Sequence, residues 1–303
     1  MDIKRAIVDL APAPIVRIFA APYVAGKGVE SGVRKADEMW HAHKLHATVD
    51  LLGEEVFERE DVEATVALYF RMIDQLNGRS YTSISLKPTQ LGIHESEAYC
   101  LENIRRVVAY AASHHLQITV DMEDHDFTDV TLRLFKALRS DFDNVGTVLQ
   151  SRLFRTKDDI LALHTKPCKV RICIGIYKEP KAIAYTDKPA MKEKLFEYVQ
   201  LLLDKGHFPE IATHDEPLIH RCLDYLDRRG CPRDTYEFQM LLGVPRAGIQ
   251  AQIVNDGRVV RLYVPFAEEW KYAIAYCKRR MAANPMMGAY VMKNLFRKSM
   301  SQP

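Results

Sequence analysis

The sequence lacks the features that carry a protein across or into a membrane. No apolar run reaches the length of about 18 residues that a membrane-spanning helix needs. The N-terminal stretch MDIKRAIVDLAPAPIVRIFA has no long apolar core before a cleavage site, so we expect no export signal. The six cysteines form no C-x-x-C pair and are expected to be reduced thiols rather than a disulfide framework. These absences predict a cytoplasmic protein, and they leave open a peripheral contact with the inner face of a membrane.

A strong imbalance of charge is missing as well. The 303 residues include 42 Lys or Arg and 40 Asp or Glu, which gives a formal net charge of +2. Such a balance offers no basic surface for nucleic acid, so we expect no nucleic-acid partner. No linker, fixed repeat or low-complexity tract divides the chain, and 48% of its residues are hydrophobic. We therefore expect a single domain over residues 1–303, in which residues 1–45 form an N-terminal arm and an extra helix.

Short apolar runs alternate with amphipathic segments along the chain. Eight runs are predicted as strands: 46–52, 81–87, 117–123, 145–150, 170–177, 210–214, 236–240 and 258–264. The predicted helices are 28–43, 58–76, 95–114, 126–139, 157–164, 188–205, 216–229, 246–255 and 268–281, with an extended arm at 15–23 and a further helical run near 288–298. Eight strands, each followed by a helix, predict an α/β fold of the (β/α)₈ barrel type. An open doubly wound sheet is the alternative, because alternation alone does not exclude it.

Polar side chains follow the predicted strands at their C-terminal ends, where barrel enzymes build their active sites. They include Asp50, Lys87, Asp121, Glu123, Gln150, Tyr177, Thr213, His214, Gln239 and Tyr263. The helix at 268–281 adds Tyr276, Arg279 and Arg280, whose spacing of three and four residues puts them on one face. Adjacent arginines beside tyrosines fit a clamp for a small carboxylate, and a solvated basic helix end is the simpler alternative.

Two other motifs are weaker candidates for a site. The segment 26–32 is rich in glycine but misses the dinucleotide-binding spacing by one residue, so we predict a turn into a helix. His41 and His43 precede the first predicted strand, and His46 is its first residue. In barrel hydrolases, by contrast, the metal-binding histidines lie at the end of this strand. The cluster around Asp121 is acidic enough for a divalent cation but lacks a further converging ligand. We therefore expect no metal.

Lys87 has two candidate roles. It is either a Schiff-base lysine, which needs a lowered pKa, or a fixed cation beside an anionic substrate. Asp121 on the neighbouring predicted strand would form an ion pair with Lys87 and raise its pKa, which favours the fixed cation. Asp215 is expected to cap the helix that follows it.

Seven segments resemble, in order, the FAD-dependent proline dehydrogenase family. They are SLKPTQLG (85–92), VDMED (120–124), VLQSRLFRT (148–156), VRICIGIYKEP (170–180), EIATHDE (210–216), YEFQMLLGV (236–244) and RLYVPF…YAIAYCKRRMAANP (261–285). The resemblance implies a distorted (β/α)₈ TIM-like barrel with an N-terminal helical arm. It also implies oxidation of L-proline to 1-pyrroline-5-carboxylate by hydride transfer to N5 of FAD, the first step of proline catabolism to glutamate. A quinone or another electron acceptor would reoxidise the flavin, and a pyrroline-5-carboxylate dehydrogenase is implied as a candidate partner.

The same resemblance assigns residues to the substrate and to the cofactor. It places Lys87, Asp121, Tyr177, Leu241, Tyr263, Tyr276, Arg279 and Arg280 around the amino acid, with the two arginines on its carboxylate. Around the flavin it places Gln150, Arg171, Gly175, Ala212, Thr213 and His214.

Three positions depart from the family pattern. Ile174 stands where the family usually has a lysine, Ala283 where it has a glutamate, and Asp215 where an asparagine is common. The first two changes leave open hydroxyproline or another cyclic imino acid as the substrate, and also a non-catalytic flavin-binding relative, whereas Asp215 is a milder change. The histidines and the acidic cluster leave a metal-dependent barrel hydrolase as the alternative of a different class.

Overall fold

Eight parallel strands close into a barrel in the computed structural model, which describes residues 21–163 and 166–283, the last three of them by their backbone only. The strands are β1 (His46–Leu52), β2 (Thr82–Leu86), β3 (Gln117–Val120), β4 (Val145–Gln150), β5 (Lys169–Cys173), β6 (Phe208–Ala212), β7 (Glu237–Leu241) and β8 (Val260–Ala267). Each pairs with its neighbour in chain order, and β8 pairs with β1. The predicted barrel is confirmed, and the open sheet is excluded.

Helices surround the barrel. They are α1 (Val29–His43), α2 (Arg59–Leu76), α3 (Glu97–Ser113), α4 (His125–Asp141), α5 (Thr156–Leu161), α6 (Lys188–Asp204), α7 (Glu216–Arg229), α8 (Ala247–Asn255) and α9 (Trp270–Ala283), with a 3₁₀ turn at Pro88–Gln90. Side-chain caps begin several of them: Asp215 accepts from the Leu218 amide at 3.1 Å, as expected, and Asp187 accepts from the Ala190 amide at 2.9 Å. None of the described helices combines the length and the apolarity of a membrane span.

The two faces of the strands differ in chemistry. Outward-facing residues such as Val49, Ile84 and Ile211 are fully buried under the helices and form the apolar core. Inward-facing residues are largely polar: Arg171 on β5 reaches Gln239 on β7 with a hydrogen bond of 2.6 Å. A barrel of this type is usually filled with branched apolar side chains. The polar interior therefore provides the floor on which a site can be built.

Helices α1 and α9 both contact β1 and β8, but at different places. Helix α1 packs on β1 and β8, where a Cβ on Gly32 would lie only 3.0 Å from the Phe266 and Val49 side chains. Helix α9 instead packs its Ala273 and Tyr276 against Leu52 and Ala267, which are the last residues of β1 and β8. Tyr276 and Arg280 are thus carried to the mouth of the barrel, defined here as the C-terminal ends of the strands and the residues that follow them.

The predicted strand ends need correction. The third and fifth strands end at Val120 and Cys173, several residues before the predicted 123 and 177, and the eighth continues to Ala267. Alternation of apolar and polar residues persists beyond the ladder in the first two cases, and after β5 the backbone leaves the sheet at Gly175, which has a φ of 96°. Most of the predicted arm at 15–23 and the predicted run at 288–298 lie outside the described residues. The single-domain division of 1–303 stays a prediction.

Candidate active site at the mouth of the barrel

Lys87, the residue after β2, lies between two carboxylates. Its Nζ donates a hydrogen bond of 2.7 Å to Asp50 Oδ1 on β1 and lies 3.5 Å from Asp121 Oδ2 after β3. The Tyr263 hydroxyl on β8 accepts a longer contact of 3.4 Å from the same Nζ. The expected ion pair with Asp121 is present, but the direct hydrogen bond goes to Asp50.

The electrostatics keep Lys87 charged. Burial disfavours its ammonium, but Asp50, Tyr263 and Asp121 favour the charge more strongly and raise its pKa well above the ordinary value. A Schiff-base lysine needs the opposite shift. The geometry therefore favours the fixed cation.

The two carboxylates have different surroundings. Asp121 accepts from Arg171 Nη1 at 2.6 Å and from the Tyr263 hydroxyl at 2.6 Å, and the Arg171 and Lys87 cations outweigh burial and lower its pKa. Asp50 is fully buried, and burial raises its pKa to about 6 although Lys87 opposes the shift. Asp50 Oδ2 has no hydrogen-bond partner among the described residues.

Arg171 ties the floor of the site together. Besides Asp121, its guanidinium donates to Gln239 Oε1 at 2.6 Å and to Ser85 Oγ at 3.2 Å, and it lies 5.1 Å from the centre of the Tyr263 ring. These contacts connect β2, β5, β7 and β8 through the barrel interior. Arg171 thus braces Asp121 and Tyr263 from below.

The ends of β4 and β5 form a second part of the mouth. Gln150 is buried and donates from Nε2 to the Glu123 carbonyl at 2.9 Å, but its Oε1 has no partner within the described ranges. Gly175 lies beside it, and a Cβ there would be 2.9 Å from Gln150 Cδ. Ala212, at the end of β6, pairs in register with Cys173. The strand ends therefore leave an acceptor oxygen and a side-chain-free stretch of backbone next to each other.

His214 and Thr213 follow β6 and brace neighbouring backbone. His214 Nε2 accepts from the Leu241 amide at 2.8 Å, which requires a neutral ring at that nitrogen. Burial, with Arg280 and Arg246, lowers the pKa of His214 to about 4 and keeps it neutral. The Thr213 hydroxyl accepts from the Asp215 amide at 3.2 Å.

The arginines on α9 point to different partners. Arg279 Nη2 lies 2.9 Å from Glu54 Oε1, in the segment after β1. Arg280 lies 5.2 Å from the centre of the buried Tyr276 ring, and its Nε has no partner among the described residues. The side chain of Ala283 lies outside the described residues.

Tyr177 and Leu241 flank the mouth and are both partly buried. Burial raises the pKa of the Tyr177 hydroxyl, and Arg152 donates a hydrogen bond to the Tyr177 carbonyl. Leu241 ends β7 opposite Tyr263. Seven of the eight residues assigned to the substrate therefore belong to a strand end, to the loops after the strands or to α9, and Tyr263 lies in the middle of β8.

The candidate metal ligands lie elsewhere. His41 and His43 are exposed at the end of α1, as the helix-end interpretation predicts. Within the described ranges, Asp124, His125 and Asp126 at the start of α4 are close enough to share an ion. They differ from the carboxylates that contact Lys87.

Sequence reasoning missed two acidic residues of the mouth. Asp50 was placed at a strand end without a role, and Glu54 was not singled out. The available signal was the alternation of side chains along β1, which places Thr48, Asp50 and Leu52 on one face of the strand. The polar members of this face indicated that β1 contributes to the interior.

Comparisons with known proteins agree with this site. The family model described as proline dehydrogenase matches residues 33–177 and 178–289. Proline dehydrogenase 2 of Bacillus subtilis (strain 168) is 32% identical, with 93% of this chain and 92% of the relative covered. Proline dehydrogenase of Deinococcus radiodurans is 31% identical, with 97% and 98% covered.

Solved structures share the fold. Proline utilization A of Bdellovibrio bacteriovorus, inactivated by N-propargylglycine, matches with a TM-score of 0.79 and 22% identity over 88% of this chain. A mutant of proline utilization A from Bradyrhizobium japonicum matches with a TM-score of 0.72 and 19% identity over 89% of this chain. This chain spans 33% and 32% of those longer proteins. By its sequence, the chain belongs to the proline dehydrogenase family.

Proposed function

We propose that the protein oxidises L-proline to 1-pyrroline-5-carboxylate with FAD as its cofactor. The family membership supports the reaction. The structural observation that carries it is the buried Lys87 cation, which lies beside Tyr263 and Asp121 beneath the arginine-bearing helix α9. A fixed cation with aromatic neighbours suits a small, partly apolar acid such as proline.

The residues at the ends of β4, β5 and β6 fit a flavin. A flavin ring is planar and has donors and acceptors along one edge, so it needs polar partners and close approach to backbone. The unpartnered Oε1 of Gln150 and the bare backbone at Gly175 supply these two requirements. We assign Gln150, Arg171, Gly175, Ala212, Thr213 and His214 to the flavin. When bound, FAD supplies the acceptor for the hydride that leaves the carbon next to the ring nitrogen.

The remaining residues bind and orient the amino acid. Lys87, Arg279 and Arg280 attract its carboxylate, because cations in a site partly shielded from water bind anions strongly. Tyr177, Leu241, Tyr263 and Tyr276 surround the ring and exclude water. Such positioning holds the reacting carbon in one orientation, which is the main contribution a protein makes to hydride transfer.

The departure at Ile174 concerns affinity rather than the type of reaction. Ile174 removes a family cation near the proposed flavin position, so we expect weaker flavin binding than in relatives with a lysine.

A quinone or another electron acceptor is proposed to reoxidise the flavin, and a pyrroline-5-carboxylate dehydrogenase is proposed to take the product. Action at the inner face of a membrane belongs to the same proposal.

Anaerobic reduction tests the function. The purified protein is expected to be yellow and to lose its flavin absorbance when L-proline is added without oxygen, with formation of 1-pyrroline-5-carboxylate. trans-4-Hydroxy-L-proline is added in parallel, and D-proline is the control. If only hydroxyproline bleaches the yellow protein, hydroxyproline would replace proline as the proposed substrate. A colourless protein with stoichiometric metal would overturn the proposal.

A further inference from the structure

Asp50 is the hydrogen-bond partner of Lys87 at the mouth of the barrel. The Lys87 ammonium donates to Asp50 Oδ1 at 2.7 Å, whereas Asp121 Oδ2 lies 3.5 Å away. Asp50 has no exposed surface, and its register on β1 places it opposite Ser85 on β2 and Pro265 on β8. It therefore lies below Lys87 and away from the open side of the site.

The two carboxylates near Lys87 are not equivalent. Asp121 accepts hydrogen bonds from Arg171, Ser85 and Tyr263, so its charge is satisfied without Lys87. Among the described residues, Asp50 makes its side-chain hydrogen bond to Lys87, and its Oδ2 has no partner. A buried carboxylate with one donor depends on that donor, and the donor is held in return.

We propose that Asp50 is a positioning residue that fixes the Lys87 ammonium where the substrate carboxylate binds. This inference rests on the proposed function for the identity of the substrate. Without the Asp50 charge, Asp121 would be the nearest carboxylate to Lys87 and would draw the ammonium away from its present position. Substrate affinity would then fall, while the reacting carbon and its surroundings would change little.

The titration of Asp50 can be separated from that of its neighbours. The groups that face it are Lys87, Asp121, Glu54, Tyr69, Tyr263 and Tyr276. Cationic neighbours outweigh burial and lower the pKa values of Asp121 and Glu54, whereas the pKa values of Lys87 and the three tyrosines are raised above their ordinary values near 10. Between pH 5 and 8, Asp50 is consequently the member of this group that changes charge, and Glu123, a second buried carboxyl near Lys87 whose pKa burial raises to about 7, also titrates there.

The test measures binding without catalysis. The holoenzyme is titrated calorimetrically with the analogue of proline in which oxygen replaces the ring nitrogen, which retains the carboxylate but lacks the amine. Asp50→Asn is expected to weaken binding at least tenfold at pH 7.5. Asp50→Glu is expected to recover part of the loss. The control is Asp37→Asn, which removes a carboxylate that accepts from Arg79 at 2.7 Å and Tyr81 at 2.6 Å, outside the proposed site.

The pH profile gives a second, independent measurement. The wild type is expected to bind the analogue more weakly as the pH falls through about 6, because protonated Asp50 holds Lys87 less strongly. Asp50→Asn is expected to show no such dependence. Equal or tighter binding by Asp50→Asn, or a flat wild-type profile, overturns the proposal. If Asp50→Asn fails to fold, the wild-type profile is compared with that of Glu123→Gln, which removes the other carboxyl near Lys87 that titrates in this range; loss of the pH dependence in Glu123→Gln overturns the proposal. A wild type that binds the analogue but is not reduced by L-proline overturns only the proposed function.

Discussion

Gly175 and Gln150 occupy complementary positions at the mouth of the barrel. Gly175 has a φ of 96°, and any Cβ there would overlap the Gln150 amide, 2.9 Å from its Cδ. Gln150 is itself held by a hydrogen bond of 2.9 Å to the Glu123 carbonyl. The side chain therefore cannot move aside without giving up a buried hydrogen bond.

Gly175→Ala is predicted to reduce the flavin content at least tenfold. The methyl group would displace Gln150, whose free Oε1 we assign to the flavin, and a residue other than glycine is strained at this φ by about 1 kcal/mol or more. The control is Gly206→Ala, which has a φ of 75° but nothing within 4 Å of the added Cβ. Flavin absorbance per protein and the melting temperature are measured for both. Equal flavin content in the two variants would contradict the assignment.

Arg279→Ala is predicted to raise the KM for proline by at least thirtyfold, corresponding to a loss of about 2 kcal/mol or more from a charged contact. Steady-state kinetics with L-proline check this. Arg221→Ala is the control, because Arg221 pairs with Glu193 on the surface and is similarly exposed, at 45% against 42% for Arg279. An unchanged KM would rule out Arg279 as a carboxylate ligand.

Glu54→Gln tests how far substrate binding by Arg279 depends on the ion pair between Arg279 and Glu54. Glu54 lies 2.9 Å from Arg279 Nη2 and would be displaced or shared when the substrate carboxylate arrives. We expect a smaller rise in KM than for Arg279→Ala, since the guanidinium remains. A rise equal to that of Arg279→Ala would instead mean that Glu54 is needed to place the arginine.

The sequence predicted the barrel because the signals for it are local. Asp215 caps α7 and Gly230 follows it in the left-handed conformation, so the predicted bounds Glu216–Arg229 are confirmed without change. The predicted strand ends were less accurate, since the apolar pattern of residues 170–177 continues beyond the end of β5. The ladder stops where Gly175 turns the backbone, and this depends on three-dimensional pairing.

The site could be predicted in part for the same reason. The C-terminal ends of strands are recognisable in sequence, so Lys87, Asp121 and Tyr263 were placed together. The hydrogen bond from Lys87 to Asp50 was not predicted, because it depends on the register of β1 against β2. Glu54 lies in a segment without periodic pattern, and only the position of α9 brings it to Arg279.

Glu237→Gln is predicted to destabilise the fold by about 3–5 kcal/mol, because it leaves the buried Arg261 guanidinium without its charged partner. Arg261 Nε donates to Glu237 Oε1 at 2.6 Å, and both side chains are nearly inaccessible to water. Denaturant unfolding measures the difference. The control is Glu193→Gln, which breaks the exposed pair with Arg221 and is expected to cost about 0–1 kcal/mol. Equal losses would mean that the buried pair contributes no more than a surface one.

Acid is predicted to destabilise the fold through His214. Burial lowers the pKa of His214 from 6.5 to about 4, so the folded protein keeps this ring neutral while the unfolded chain takes up a proton below pH 6.5. Stability is therefore lost progressively as the pH falls from 6.5 to 4, by at most about 3 kcal/mol from this group. His214→Gln retains an acceptor near the Leu241 amide but does not titrate, so its unfolding free energy should fall less over this range. His220→Gln, at an exposed position of α7, should follow the wild type. Parallel pH profiles for all three proteins would show that His214 is not held neutral by the fold.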